Sequence, residues 1–107
     1  MPKKNQLFYL RARRTEKEYL VSACDENVLG ETLSEGEVEI YVNERFFGGE
    51  LVSIEKCLEE LCKASSFTIF GTEIINEAIK HGLVNELSVQ WIDCTKNGRV
   101  GHAMLIR

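Results

Sequence analysis

Residues 53–83 read SIEKCLEELCKASSFTIFGTEIINEAIKHGL, and they contain two helical patterns on either side of a short apolar run. Behind Ser53, which suits a helix N-cap, apolar side chains recur every three to four residues as far as Cys62. This period predicts an amphipathic helix. Its apolar stripe consists of Ile54, Cys57, Leu58, Leu61 and Cys62. A second helix is expected after the capping residue Thr72, and Gly82 marks its end. Its buried face consists of Ile74, Ile75, Ala78 and Ile79.

Apolar and polar residues alternate on both sides of this stretch, with the period of two that is typical of β-strands. Before the helices, this pattern predicts three strands, at residues 7–13, 18–24 and 37–42. After them, residues 87–91 and 100–106 flank an Asn97-Gly98 turn and form a C-terminal hairpin.

The segments between the strands are polar or rich in glycine. Residues 25–36 contain turn signals, and Asp25 is expected to cap a short helical turn there that Gly30 ends. Residues 43–50 are expected to form a loop. Residues 67–70 are mostly apolar, and periodicity alone leaves a buried strand and a helical turn equally open.

Strands in hairpins at both ends and helices in the middle predict the α+β class. We expect a single domain over residues 1–107, of which 1–6 are a basic segment and a candidate flexible tail. Its sheet is mostly antiparallel and is built from the N- and C-terminal hairpins. The two helices pack on one face, with the three N-terminal strands in the same sheet as the C-terminal hairpin.

The composition is that of a compact domain, because 44% of the residues are hydrophobic and 28% are charged. No run of about 20 apolar residues exists, so no transmembrane helix and no membrane partner are expected. The basic N-terminus is not followed by an apolar segment with a small-residue cleavage site, as a secretory signal would be. The expected location is therefore the cytoplasm.

The four cysteines fit no zinc-binding spacing, and no metal or cofactor is expected. They are Cys24, Cys57, Cys62 and Cys94. The simplest interpretation is that all four are small buried side chains. A disulfide between Cys24 and Cys94 is the alternative, and it requires an oxidising compartment or the cytosol of a hyperthermophile.

Charge is divided unevenly along the chain. Residues 1–17 carry a net charge of +5, whereas the remaining residues carry −9. A basic segment on an acidic body suggests a surface for a polyanion such as RNA. Tyr9, Arg11 and Arg13 share one face of the first strand, where arginine pairs with phosphate and tyrosine offers a stacking ring. The candidate RNA-binding residues are Lys3, Lys4, Tyr9, Arg11, Arg13, Arg14 and Lys17. The alternatives are an acidic protein partner and a solvated edge strand protected by charge.

The residues suggest two further candidate sites. Gly71 and Thr72 open a helix, whose N-terminal N–H groups can hold an anion, and with His102 and Asp25 they make a candidate ligand pocket. Phe46 and Phe47 are candidates for a partner contact, although either ring equally suits the core. A Cys94–His102 pair across the hairpin has no supporting motif. No catalytic residue is assigned, and the balance leans away from an enzyme.

Several separated motifs are similar to one known family. They are Cys24-Asp25, Leu29-Gly30, Phe46-Phe47-Gly48-Gly49, Ile69-Phe70-Gly71, Ala78-Ile79 with Gly82-Leu83, and Gly101-His102-Ala103. In their order and spacing they resemble an uncharacterised archaeal family, the domain of unknown function number 424, over residues 7–107. The resemblance implies an archaeal, cytoplasmic, single-domain protein, and it suggests an association with translation or RNA metabolism. It supplies no activity.

The leading functional hypothesis is a non-catalytic binding module that docks RNA or a ribonucleoprotein through the basic N-terminal hairpin. The first alternative is a small enzyme or ligand-binding domain with its pocket near Gly71-Thr72 and His102. The second is a protein–protein adaptor or homodimer. Oligomeric state is not determined by the sequence.

Overall fold

The computed structural model describes residues 6–94 and 98–107, and there the chain runs through eight strands and three α-helices. The strands are β1 (Phe8–Arg14), β2 (Tyr19–Asp25), β3 (Thr32–Glu35), β4 (Val38–Tyr41), β5 (Glu50–Val52), β6 (Ser66–Gly71), β7 (Gln90–Cys94) and β8 (Gly98–Ile106). The helices are α1 (Glu44–Phe47), α2 (Ile54–Lys63) and α3 (Glu73–Lys80). Short 3-10 turns lie at Glu26–Val28 and Glu86–Ser88.

Six strands form one sheet in the order β5-β1-β2-β6-β8-β7. Neighbouring strands are antiparallel except for β2 and β6 at the centre, which run parallel. The apolar run at residues 67–70 is therefore the central strand β6. It lacks alternation because Phe67 and Ile69 are buried on one face and Phe70 on the other.

The predicted α+β class is confirmed. A hairpin at each end of the chain contributes to one mostly antiparallel sheet, and α2 and α3 pack on one of its faces. Leu61 of α2 and Ile74 and Ile75 of α3 are fully buried there, against Phe8 and Ile69 of the sheet. Full burial of each such side chain stabilises the fold by about 1.5–3 kcal/mol.

The opposite face of the sheet is covered at one end only. A second apolar cluster joins this end of the sheet to the 3-10 turn at Glu26–Val28, the β3–β4 hairpin and α1. It consists of Cys24, Val28, Leu33, Val42, Phe47, Phe70, Ile92, Cys94 and Val100. The other end of this face, near the β1–β2 turn, carries the candidate site.

The predicted placement of the third strand in the main sheet is wrong. Its residues form β4, which pairs with the unpredicted strand β3 in a separate two-stranded sheet. Only Gly36 and Glu37 separate the two strands, and Gly36 takes the positive φ of +62° that such a tight turn favours. A period of two predicts a strand but does not identify the strand that pairs with it. The alternation in residues 37–42 therefore gives no information on which sheet contains this strand.

Three other segments also differ from the predictions. Residues 43–50, expected to be a loop, contain α1 and the start of β5. Leu87 was expected inside a strand, but it lies in a 3-10 turn and is 93% exposed. Asn97 of the predicted hairpin turn and most of the basic tail, residues 1–5, lie outside the described residues.

The cysteines are free thiols, of which Cys24, Cys57 and Cys94 are buried. Cys62 is exposed, so the prediction that all four are buried is wrong at this position. The buried stripe of α2 instead includes Glu60, because Tyr19 donates a hydrogen bond from its hydroxyl to the Glu60 carboxylate. Burial raises the pKa of Cys24 and of Cys57 to about 12, which keeps both protonated at neutral pH.

We expect one of the four cysteines to react rapidly when the native protein meets an aromatic disulfide reagent at neutral pH. Cys62 is the exposed thiol, whereas the others become accessible only on unfolding. Counting the thiolate released in the fast phase checks this. Replacement of Cys62 by serine should abolish that phase, and two or more fast equivalents in the native protein would contradict the prediction.

Candidate nucleic-acid interface

The uncovered end of the sheet presents two rows of side chains from four adjacent strands. The strand register places Arg13, Leu20, Ser66 and Ile106 in one row. It places Arg11, Ser22, Thr68 and Met104 in the next row. We call these eight residues the open sheet face. They lie on the side of the sheet opposite α2 and α3, since neighbouring residues of a strand point to opposite faces.

The alternation of β1 explains how the two arginines reach this face. Phe8 and Leu10 are buried under the helices, so Tyr9, Arg11 and Arg13 point to the other side. Tyr9 lies at the covered end, where it is half-buried against the second apolar cluster. The structure therefore separates the tyrosine, which packs against this cluster, from Arg11 and Arg13, which lie further along the strand.

A groove of about 120 Å³ runs across the open sheet face. It is lined by Arg11, Arg13, Leu20, Val21, Ser22, Phe46, Ser66, Phe67 and Thr68. Among the described residues, the lining contains two guanidinium groups and three hydroxyls but no carboxylate. The groove is thus cationic and apolar, although the whole chain carries a net charge of −4.

Arg11 is held in place by the loop after α1. Its Nη1 donates a hydrogen bond to the carbonyl oxygen of Gly48 at 3.2 Å, and the residue is half-buried. One bond uses part of the five-donor guanidinium and leaves the other N–H groups for a ligand. Arg13, by contrast, is exposed.

Phe46 and Phe47 have different surroundings. Phe47 is buried in the second cluster, with its ring edge-to-face against Phe70 at 5.2 Å between centroids. Phe46 packs edge-to-face on Phe47 at 4.9 Å, is 43% exposed, and forms a wall of the groove. One ring of the pair therefore belongs to the core and the other to the surface.

The other predicted RNA-binding residues do not gather on the open sheet face. Arg14 points to the helix side, where its guanidinium lies over the Tyr19 ring at 4.2 Å from the centroid. Lys17 is exposed in the turn between β1 and β2. Lys3 and Lys4 lie outside the described residues.

The candidate ligand pocket at the start of α3 contains a carboxylate of the chain itself. Asp25 Oδ2 accepts hydrogen bonds from the backbone N–H groups of Thr72 and Glu73, both at 2.9 Å. Asp25 Oδ1 accepts a third from Ile74 at 3.0 Å. Burial raises the pKa of Asp25, while the three N–H groups oppose that rise by stabilising the carboxylate.

Asp25 therefore occupies the anion-binding position that the sequence suggested for a ligand. It also takes over the expected role of Thr72, whose hydroxyl makes no cap bond and instead donates to the carbonyl oxygen of Arg99 at 2.5 Å. The 3-10 turn that Asp25 precedes receives no side-chain cap, because this carboxylate is already engaged at α3.

His102 lies apart from this arrangement, on the face of the sheet that points away from α2 and α3. Its ring stacks on Phe70 at 4.1 Å between centroids, and burial lowers its pKa. The hairpin register pairs His102 with Gln90 and Cys94 with Gly98, which separates histidine and cysteine by four residues along β7. The geometry thus brings Asp25, Gly71 and Thr72 together and leaves His102 elsewhere.

Sequence reasoning missed most of the open sheet face. Leu20, Ser22, Thr68, Met104 and Ile106 carry no motif, and their proximity follows from the order of the strands. Within residues 6–94 and 98–107, no group of three or more histidine, cysteine or acidic residues is arranged to hold a metal ion. The described helices are also all too short or too polar to cross a bilayer.

Comparisons with known proteins give a family and a fold. The sequence profile of the family described as "Protein of unknown function (DUF424)" matches residues 13–103. A search of curated proteins found no similar sequence. The crystal structure of an uncharacterized conserved protein from Methanopyrus kandleri is similar, with a TM-score of 0.68 and 18% identity. The match covers 92% of this chain and 90% of that one, and at this identity it shows a shared fold.

Proposed function

The chain belongs to the DUF424 family of proteins of unknown function, and we propose that it is a non-catalytic module that binds RNA through the open sheet face. The description of the family assigns no activity, so the proposal rests on the geometry of this chain. RNA here includes the RNA of a ribonucleoprotein particle, and the proposed location is the cytoplasm.

The observation that carries the proposal is the charge of the groove. Arg11 and Arg13 line it together, and the lining contains no acidic side chain. In a chain of net charge −4, two cationic groups without a neighbouring carboxylate in the groove favour an anionic ligand. Guanidinium groups suit phosphate in particular, because their planar N–H donors match two phosphate oxygens at once.

The hydroxyls of the groove suit a ribose. Ser22, Ser66 and Thr68 lie on the central strands β2 and β6; Ser66 and Thr68 are half-buried, whereas Ser22 is buried at the floor of the groove. Each hydroxyl both donates and accepts hydrogen bonds, as the ribose 2′-hydroxyl does. A phosphate over β1 and a ribose or base over β2 and β6 would therefore meet complementary groups.

The salt dependence of RNA affinity tests this proposal. We expect wild-type protein to bind a fluorescent oligoribonucleotide with an affinity that falls as salt rises, because phosphate contacts release counterions. The double variant Arg11→Gln/Arg13→Gln should bind roughly 10-fold or more weakly. Its log–log salt slope should be shallower by about 0.7 per lost contact with a single strand.

Lys63→Gln/Lys80→Gln is the matched control. It removes the same charge from exposed positions on α2 and α3, on the other side of the sheet. Its affinity should stay within about twofold of wild type, since distant exposed charges are screened. No RNA binding by wild type at low salt, or equal slopes for the two double variants, would refute the proposal.

A further inference from the structure

The two sides of the open sheet face differ in chemistry. Arg11 and Arg13 stand on β1, whereas Met104 and Ile106 stand on β8 and are 60% and 76% exposed. Three strand spacings separate β1 from β8, or about 14 Å. The face thus has a cationic side and an apolar side, with the hydroxyls of Ser22 and Thr68 between them.

From this asymmetry, and from the position of Phe46 in the groove beside the arginines, we infer that the ligand is a single strand of RNA, whose backbone follows the arginines of β1 and one of whose unpaired bases stacks on Phe46. The inference rests on the proposed function and names its substrate class. A single strand has one line of phosphates and free bases, which matches one cationic side and one apolar side. A duplex exposes two lines of phosphates and hides its base faces, so Met104 and Ile106 would have no apolar partner.

Phe46 is presented in a way that suits stacking. Its ring lines the same groove as Arg11 and Arg13, so a base on the ring and a phosphate on an arginine would occupy one groove. The ring packs edge-to-face on Phe47, which is buried against Phe70. Because these contacts already order the side chain, little conformational entropy is lost when a base binds.

Exposure and position also set Phe46 apart from the other aromatic residues near the groove. Phe47 and Phe70 are both 4% exposed, and Phe67 is 2% exposed, so their ring faces are used by the core. Phe46 is 43% exposed and leaves much of its ring without a packing partner in the described residues. Of the two described aromatic residues that line the groove, Phe46 is therefore the one with an exposed ring for a base.

The test compares three probes with wild-type protein and with Phe46→Ala. The probes are a ten-nucleotide single-stranded oligouridylate, a ten-base-pair RNA duplex, and inorganic polyphosphate, which has phosphates but no bases. We expect wild type to prefer the single strand to the duplex by about 10-fold or more. Phe46→Ala should bind the single strand about 10-fold more weakly, as loss of one stacked base predicts, and polyphosphate within twofold of wild type.

Two controls separate stacking from other effects. Phe46→Tyr keeps the ring and should keep the affinity. Leu87→Ala removes an exposed apolar side chain that is absent from the groove lining, and it should have no effect on any probe. A thermal melt of each variant shows that it is folded.

The outcomes distinguish this inference from the proposed function. If the arginine double variant loses RNA affinity but Phe46→Ala does not, or if the duplex binds as well as the single strand, stacking is refuted and RNA binding stands. If wild type binds neither RNA, both fail. If wild type is a dimer that Met104→Asp converts to a monomer, and RNA does not bind, the face is an interface between copies and both proposals are wrong.

Discussion

Replacement of Asp25 by alanine should lower the free energy of unfolding by about 3 kcal/mol, measured by urea denaturation at neutral pH. The carboxylate accepts hydrogen bonds from three consecutive backbone N–H groups at the start of α3. Alanine leaves these donors without that acceptor, and the N–H of Ile74 is in a buried bond. The loss therefore exceeds that of an ordinary exposed helix cap.

The size of this effect follows from where Asp25 is anchored. It ends β2, which is hydrogen-bonded to β6, and α3 begins directly after β6. One side chain therefore ties the parallel pair of strands to the helix that covers them. Asparagine should recover about half of the loss, because its carbonyl oxygen still accepts while the charge that complements the helix dipole is gone.

Thr72→Val is the matched control for Asp25→Ala. Sequence reasoning assigns the cap to Thr72, but its hydroxyl bonds to Arg99 and not to the helix. This variant should lose about 1 kcal/mol, the usual worth of one hydrogen bond. A loss from Thr72→Val equal to or greater than that from Asp25→Ala would show that the capping role is assigned to the wrong residue.

Gly71→Ala should destabilise the protein by about 3 kcal/mol or more, by adding steric overlap to backbone strain. Gly71 has a φ of +146°, which L-residues rarely adopt. A β-carbon there would collide with the carboxyl group of Asp25, which has no freedom to move while it caps α3. Urea denaturation measures the loss, as for Asp25.

Gly82→Ala separates the two contributions. Gly82 also has a positive φ, of +74°, but a β-carbon there would meet no atom within 4 Å. Its replacement should cost only about 1 kcal/mol, from the backbone conformation. The double variant Asp25→Gly/Gly71→Ala should lose less than the sum of its single variants, because the collision is absent. Equal losses at Gly71 and Gly82, or strict additivity, would refute the steric explanation.

Local patterns were sufficient for α2 and α3 and for most strands. The spacing of Cys57 and Leu61, and of Ile74 and Ala78, identified the faces that α2 and α3 bury, because helical periodicity is a property of neighbouring residues. Likewise, strand alternation predicts Arg11 and Arg13 on the face of β1 opposite Phe8 and Leu10. Helical periodicity failed at Cys62, since a tertiary hydrogen bond from Tyr19 brings Glu60 into the buried stripe.

The candidate site depended on information that local patterns lack. The residues that flank Met104 in the sequence do not indicate that it shares a surface with Arg11. The two residues lie on β8 and β1, and strands β2 and β6 stand between them in the sheet. Arg14 and Arg13 are adjacent in a basic run, yet the pleat sends them to opposite faces. The charge pattern therefore indicates residues 1–17 as the basic segment, and the geometry of the sheet determines that Arg11 and Arg13 line the groove.

The α+β class, α2 and α3, the β1–β2 hairpin and the two faces of β1 follow from the sequence alone, because they depend on contacts between near neighbours. The order of the strands, the placement of β4 outside the main sheet, and the end of the sheet face left open follow only from the folded structure. The folded structure also shows that Asp25 caps a helix that begins 48 residues later in the chain. These features depend on contacts between residues that are distant in sequence, and such contacts stabilise the protein only when the chain is folded.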